Sequence, residues 1–342
     1  MKTKKIRFFL FSLFLLLARC GGVPPSSNSD VSPAPPANFR FDTQIPLALG
    51  GVMPGWDQLM VENLNPSDQV KLNVEPSDLL QTEEVDATGM SLTYRLTPLR
   101  AGIGRLTYSV NGVEQGKVIR VVVPPQEMIQ VLIGEARSII PQEVKVDAEG
   151  RVLKTSVSTT AQAIFSVIRN RIALMVSQDA PELFVVDRSD FQSADSAGRY
   201  RLVIEAHHNS TYQFSPVAPG DPSNEAYLAG ASREGLSGGR LLTYDQAVLT
   251  AAGVYADSLP DDTQGSFGYY SPSKTQYENI LTGLNSTDLP SDIGTSDGQF
   301  PALSPIQIRI LQAVSPQSFD ADLPSFVFVG SRSPTQDAVI RF

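Results

Sequence analysis

Thiols, imidazoles and positive charge are all scarce in this chain. Cys20 is its single cysteine, so no disulfide can form within it. Stability must come from packed cores, and about 300 residues beyond the N-terminal segment suffice for two of them. The two histidines, His207 and His208, are adjacent. Neighbouring side chains on a strand or a helix point in different directions, so the pair forms no compact metal site, and no His-Glu-x-x-His pattern is present. Beyond the N-terminal segment no stretch is long and apolar enough for a transmembrane helix. Basic residues number 27 against 36 acidic ones, a formal charge of −9. Five of the 27 lie in the first 19 residues, which leaves 22 against 36 and a charge of −14 for the remainder. A surface of that sign repels nucleic acid and anionic headgroups, which sets nucleic-acid binding aside.

Positive charge is concentrated at the start. Lys2, Lys4, Lys5 and Arg7 precede the apolar run from Phe8 to Ala18. A basic segment followed by an apolar run of roughly 7–15 residues is an export signal, and it is too short to span a bilayer. Residues 1–19 therefore read as a signal peptide, with Cys20 at the point of cleavage. Leu17-Ala18-Arg19-Cys20 is similar to the bacterial lipoprotein pattern, with Arg19 where a small residue is usual. That resemblance implies a lipid on Cys20 and attachment to a membrane. A plain secretory signal with an incidental cysteine is the alternative. Residues 20–39, rich in proline and serine, read as a solvated tether. At about 3.3 Å per residue it reaches at most roughly 60 Å. Gly21 stands where an Asp commonly retains lipoproteins in an inner membrane. The expected location is thus the cell envelope, the outer membrane facing the periplasm if the cell is Gram-negative.

Residues 40–124 read as an all-β domain. Short apolar segments alternate with turn residues: 46–49, 58–61, 69–74, 91–96, 105–110 and 117–123. Leu92, Tyr94 and Leu96 share one side of their segment, and Leu106, Tyr108 and Val110 repeat the pattern, the period of a half-buried strand. Asn111-Gly112 is a hairpin signal, because both residues tolerate positive φ. The expectation is an immunoglobulin-like β-sandwich acting as a spacer or docking module, with the lone tryptophan, Trp56, in its core.

After Pro124-Pro125 the period changes, and residues 126–342 read as a helix-dominated α+β domain. A first helix is expected over 126–137, with Met128, Leu132, Ala136 and Ile139 on one stripe, and a second over 159–175, with Ile164, Ile168 and Ile172 four apart. A third is expected from Asp221-Pro222. A fourth is expected from the capping box Thr243-Tyr244-Asp245-Gln246 to about Asp257. Beyond Tyr269 loops mix with short strands such as 326–329.

Glu135 is the leading candidate for chemistry. It lies beside the apolar stripe of the first helix, where lost solvation favours the protonated carboxyl that a general acid for glycosidic cleavage needs. The bland reading is a stripe-edge glutamate paired with Arg137 or Arg171. Four short motifs then follow in order: Gly134-Glu135-Ala136-Arg137, Ile168-Arg169-Asn170-Arg171-Ile172, Gln213-Phe214-Ser215, and Asp262 to Gly268 before the paired Tyr269-Tyr270. In this order they resemble the bacterial cell-wall hydrolase family typified by the spore cortex-lytic enzyme SleB. The resemblance covers residues 132–270. The stretch Ser138–Ser158 is longer than the family usually has there.

The resemblance implies cleavage of peptidoglycan glycan strands by a single glutamate, which maps onto Glu135, with lytic-transglycosylase or muramidase chemistry and no cofactor or metal. It further implies that Gln213, Ser215, Tyr269 and Tyr270 line the substrate groove, with Asn170 and Arg171 supporting the site. A non-catalytic wall-binding or scaffold lipoprotein on the same fold is the alternative. An inverting hydrolase needs a second carboxylate roughly 6.5–9.5 Å away, for which Glu205 and Asp221 are available. The run Gly230-Ala231-Ser232-Arg233-Glu234-Gly235 has one residue too many for a nucleophile elbow and reads as a helix end at Gly235. Asp257, Asp261 and Asp262 read as a solvated acidic loop without EF-hand spacing. Radiolabelled fatty acid fed to expressing cells is expected to mark the wild-type protein and not Cys20→Ala. Equal labelling of the two would remove the anchor.

Overall fold

In the computed structural model the β-rich part grows directly from the alternation described above. The structure describes residues 37–39, 43–137, 139–178, 186–208, 211–212, 214–261, 263, 265–266, 268–270, 308–314 and 326–331. The proposed signal peptide, Cys20 and nearly all of the tether lie outside the described residues. Nine strands come first: β1 (Asn38–Phe39), β2 (Gln44–Pro46), β3 (Gln58–Glu62), β4 (Val70–Glu75), β5 (Leu80–Thr88), β6 (Ser91–Pro98), β7 (Gly102–Val110), β8 (Val113–Glu114) and β9 (Ile119–Val123). One antiparallel sheet has the order β1-β3-β6-β5. The second has the order β2-β9-β7-β4, with β2 and β9 parallel and β8 folded back on β7. Tyr94 and Leu96 of the first sheet and Leu106, Tyr108 and Val121 of the second share one apolar core.

The β7–β8 hairpin turns at Asn111 and Gly112, whose φ values are +52° and +80°, the geometry that a two-residue hairpin turn requires. Its Asn111 side chain also bonds the neighbouring loop, accepting from Gln69 N at 2.9 Å and donating to Asp68 at 2.8 Å. Hydropathy did not reveal β5. Leu80 is its one buried residue, the strand lies at a sheet edge, and a bulge at Glu84/Asp86 breaks its alternation.

The helical part follows without a break. It comprises α1 (Gln126–Ala136), α2 (Ile140–Glu143), α3 (Thr159–Gln178), α4 (Arg188–Ser193), α5 (Ser196–Glu205), α6 (Asn224–Ala229) and α7 (Gly238–Tyr255). Two hairpin strands, β10 (His207–His208) and β11 (Thr211–Tyr212), precede a 3₁₀ turn at Ser215–Val217. An antiparallel sheet of order β12-β14-β13 uses Gly268–Tyr270, Phe326–Ser331 and Ile308–Val314. The coarse expectation of a β-rich part followed by a helical α+β part therefore holds. None of the described helices is long and apolar enough to cross a membrane.

Several expectations need correction. The helix expected at Asp221 starts at Asn224, because the Asp221 carboxylate bonds Ser223 N at 2.7 Å and holds residues 221–223 in a turn. Thr243 does not cap a helix. It lies inside α7, which begins at Gly238, and its hydroxyl bonds the carbonyl of Gly239 at 2.8 Å. The helix end expected at Gly235 falls at Ala229, where the Gly230 N–H satisfies the last carbonyls. Helices α2, α4 and α5 carried no stripe strong enough to read. Two of them begin at Asp caps, Asp187 and Asp195, whose side chains accept first-turn N–H groups.

The single stripe expected on α1 is too narrow a description. Met128, Ile129, Val131, Leu132, Ile133 and Ala136 are all fully buried, so burial extends well beyond one stripe. α3, α5, α6 and α7 pack on it. The described β-rich and helical residues belong to one compact unit. Gly50 donates to Gln126 Oε1 at 3.1 Å and accepts from Arg233 N at 2.8 Å. A Cβ on Gly50 would lie 2.6 Å from the Tyr244 hydroxyl, so no larger residue fits there. Trp56 accordingly belongs to the helical core, together with Ala48, Met53 and Val122, and not to the sandwich core. The insert at 138–158 returns to the body through Glu143. That carboxylate accepts the Thr160 hydroxyl at 2.6 Å and Thr160 N at 3.2 Å, which clamps the start of α3. Trp56→Ala is expected to cost about 3–5 kcal/mol in urea unfolding followed by circular dichroism. A loss below about 1 kcal/mol would contradict a core role at this junction.

Candidate active site

Glu135 is the penultimate residue of α1 and is half-buried. Three further polar side chains of that helix bond neighbouring elements. Gln126 bonds Gly230 O at 2.8 Å, Gln130 bonds Tyr227 O at 3.2 Å, and Glu127 pairs with Arg201 at 3.0 Å. Gly134 fixes what lies beside Glu135. A Cβ there would overlap Pro216 and come 2.7 Å from its Cγ, so the Ser215–Val217 turn sits directly on the last turn of α1. Ser215 is exposed on that turn, and its carbonyl accepts from Ala218 N at 3.0 Å.

The second motif joins the same cluster. Arg171 of α3 is 3 % exposed, and its guanidinium carbon lies 4.6 Å above the ring centroid of Phe214. A desolvated guanidinium on an aromatic face is a strong fastening. Its neighbour Asn170 reaches the other way. Asn170 Nδ2 donates to Asp261 Oδ2 at 2.9 Å, Ser266 O at 2.9 Å and Thr263 Oγ1 at 3.3 Å. The loop it holds runs into β12, where Tyr269 pairs with Phe328 and Tyr270 with Val327. Gln213, Asp262, Gln264 and Phe267 lie outside the described residues.

Asp261 overturns the expectation of a solvated acidic loop. Its carboxylate also accepts Thr263 N at 2.8 Å, Thr263 Oγ1 at 2.6 Å and Gly265 N at 2.9 Å. Burial pushes this carboxyl up, but the bonds from Thr263, Asn170 and Gly265 outweigh burial and hold it below the usual carboxylate range. The Asp-x-Thr spacing is the signal that could have shown this, since such an Asp closes a turn on its own backbone. Asp257, by contrast, is exposed at φ +52° and meets Arg169 at 3.3 Å.

The two candidates for a second carboxylate differ. Asp221 is engaged by Ser223, which also donates its hydroxyl to it. Glu205 ends α5 at the surface. Lost hydration and the charge of Glu127 push its carboxyl up against the pull of Arg201. The same two acids, after burial, help to push the Tyr227 hydroxyl up to about 12. His207 and His208 pair with Tyr212 and Thr211 across a short hairpin. Among the described residues no group of three or more His, Cys, Asp or Glu is placed to hold a metal.

No protein-family model matches the chain, and no curated protein matches it. Among solved structures it is similar to a polysaccharide lyase at 14 % identity, over 69 % of this chain and 40 % of that one, with a TM-score of 0.16. The chain thus spans about two fifths of that structure's length, and a likeness of that size carries no argument.

Stability should register the Asp261 turn. A carboxyl held below its unfolded value contributes stability that is fully present above the unfolded value and is lost as pH falls through the folded one. Between neutrality and pH ~4 the wild type is expected to exceed Asp261→Asn by a constant margin in urea unfolding. That margin should shrink as pH falls further. A margin that grows on acidification would refute the assignment.

Proposed function

We propose that this chain is an envelope lipoprotein that cleaves peptidoglycan glycan strands with Glu135 as general acid and base. In the first step Glu135 protonates the bridging oxygen as the bond from C1 of the muramyl residue breaks. The carboxylate then takes the proton of the muramyl 6-hydroxyl, whose oxygen closes on C1 and leaves an anhydro end. Water in place of that hydroxyl gives hydrolysis, with the same proton returned to Glu135. Ser215 and the strand bearing Tyr269 and Tyr270, with Gln213, are the proposed groove. The front sheets are read as an immunoglobulin-like sandwich that carries the catalytic part on its lipid tether.

The observation that carries this reading is convergence in space. Glu135 lies beside Gly134, on which the Pro216 turn rests. Phe214 of that loop lies under Arg171, and the next residue, Asn170, holds the loop leading to Tyr269. Stepwise contacts thus connect four motifs spread over about 140 residues of sequence, and the chain of contacts begins beside the half-buried Glu135.

Purified sacculi incubated with the mature protein should release soluble fragments with anhydro-muramyl or reducing ends, identified by mass spectrometry. Glu135→Gln should release about 100-fold less or lower still. If neither protein releases fragments across several pH values and ionic strengths, cleavage is refuted. Binding to sacculi without release would favour a wall-binding lipoprotein instead.

A further inference from the structure

The junction between strands and helices holds a carboxylate that the site above does not use. Asp57, just before β3, is 4 % exposed. Among the described residues no side chain donates a hydrogen bond to it, and the guanidiniums of Arg95 and Arg233 act on it only through their fields. Arg233 is committed elsewhere, to both oxygens of Asp245 at 2.7 and 3.0 Å. Arg95 is half-exposed, and its ion pair with Glu83 is stretched to 4.0 Å. Burial pushes the Asp57 carboxyl up, against the pull of its own backbone N–H and of the Arg95 and Arg233 charges.

Asp57 and Arg95 face a common cavity of about 140 Å³ between the 47–53 segment and the end of β6. Leu47, Val52, Met53 and Leu96 supply apolar wall, and Val52 stands 60 % exposed. Each wall element selects for something. A desolvated carboxylate with no side-chain donor calls for a cation that brings its own N–H groups. A guanidinium with a weak partner calls for a carboxylate. Apolar sides between them suit methylenes and exclude a hydrated ion. The volume is below the roughly 300 Å³ at which ligand pockets usually begin, so the cavity admits a head group and not a sugar ring with its substituents.

We propose that this cavity binds the zwitterionic α-amino-acid head of an aliphatic diamino acid, with its ammonium on Asp57, its carboxylate on Arg95 and its methylenes along Val52 and Met53. Diaminopimelate in peptidoglycan stem peptides presents such a head, so the inference rests on the wall-cleaving reading and adds peptide recognition to it. Cross-linking converts that ammonium into an amide. The cavity therefore selects stems that are not cross-linked through this amine.

Titration calorimetry of the mature protein with free meso-diaminopimelate tests the site. Binding is expected, with pimelate, which lacks the ammonium groups, and cadaverine, which lacks the carboxylates, at least about tenfold weaker. Asp57→Asn and Arg95→Gln should each weaken diaminopimelate by at least about tenfold. Arg95 is exposed enough for its variant to fold even if the Asp57 variant does not, and circular dichroism checks both. No measurable binding by wild type, equal binding of pimelate, or full affinity in folded Arg95→Gln overturns the proposal. Glu135→Gln is no part of this cavity and should bind as wild type. Diaminopimelate binding without sacculus cleavage would therefore sink the cleavage reading alone, and cleavage without diaminopimelate binding would sink this site alone.

Discussion

Six side chains of α1 have no contact with water, and the rest of the fold is arranged around that requirement. A helix with so many buried side chains cannot lie on a surface, so it must be wrapped. Here α3, α5, α6 and α7 pack on it, and Ala48, Met53 and Trp56 belong to the same core. The polar groups of α1 follow the same logic. Gln126 and Gln130 reach backbone carbonyls of the α6 region, so the wrapping layers are bonded to the helix as well as packed on it. Glu135 emerges where the wrapping ends, one residue after a glycine that allows no side chain.

The candidate site therefore inherits its position from the core. Two fastenings of different chemistry hold its walls. Arg171 grips Phe214 through a guanidinium–aromatic contact, and Asn170 grips the 261–266 loop through three hydrogen bonds. Adjacent residues on a helix point about 100° apart, which lets one stretch of α3 serve two loops at once. Asp261 makes the second grip specific, because it closes its own turn while accepting from Asn170.

What the sequence disclosed follows from which forces were local. The alternation of Leu92, Tyr94 and Leu96 and the Asn111-Gly112 turn depend on near neighbours, and both were legible. The start of α3 was legible too, with Ile164, Ile168 and Ile172 four apart along it. Strand β5 was not, because an edge strand with a bulge needs little apolar patterning. Thr243-Tyr-Asp-Gln246 misled because a buried Thr can bond back along its own helix as readily as cap one. Trp56 reads as sandwich core from sequence because burial is visible in composition while the partner that causes it is not. For the site, the order of motifs singled out Glu135 and Asn170, but the turn made by Asp261 went unread, since charge suggested solvent.

Gly50 joins the strands to the helices at a point with no spare volume. Its backbone bonds Gln126 and Arg233, and the Tyr244 hydroxyl fills the space a side chain would need. The two parts consequently cannot be exchanged among proteins as beads on a string. A helical part transplanted behind a different front module would lose the bonds of Gly50 to Gln126 and Arg233 and the share of Ala48, Met53 and Trp56 in its core. In descent, residues around 50, 126, 231 and 244 are bound to change together or to stay as they are.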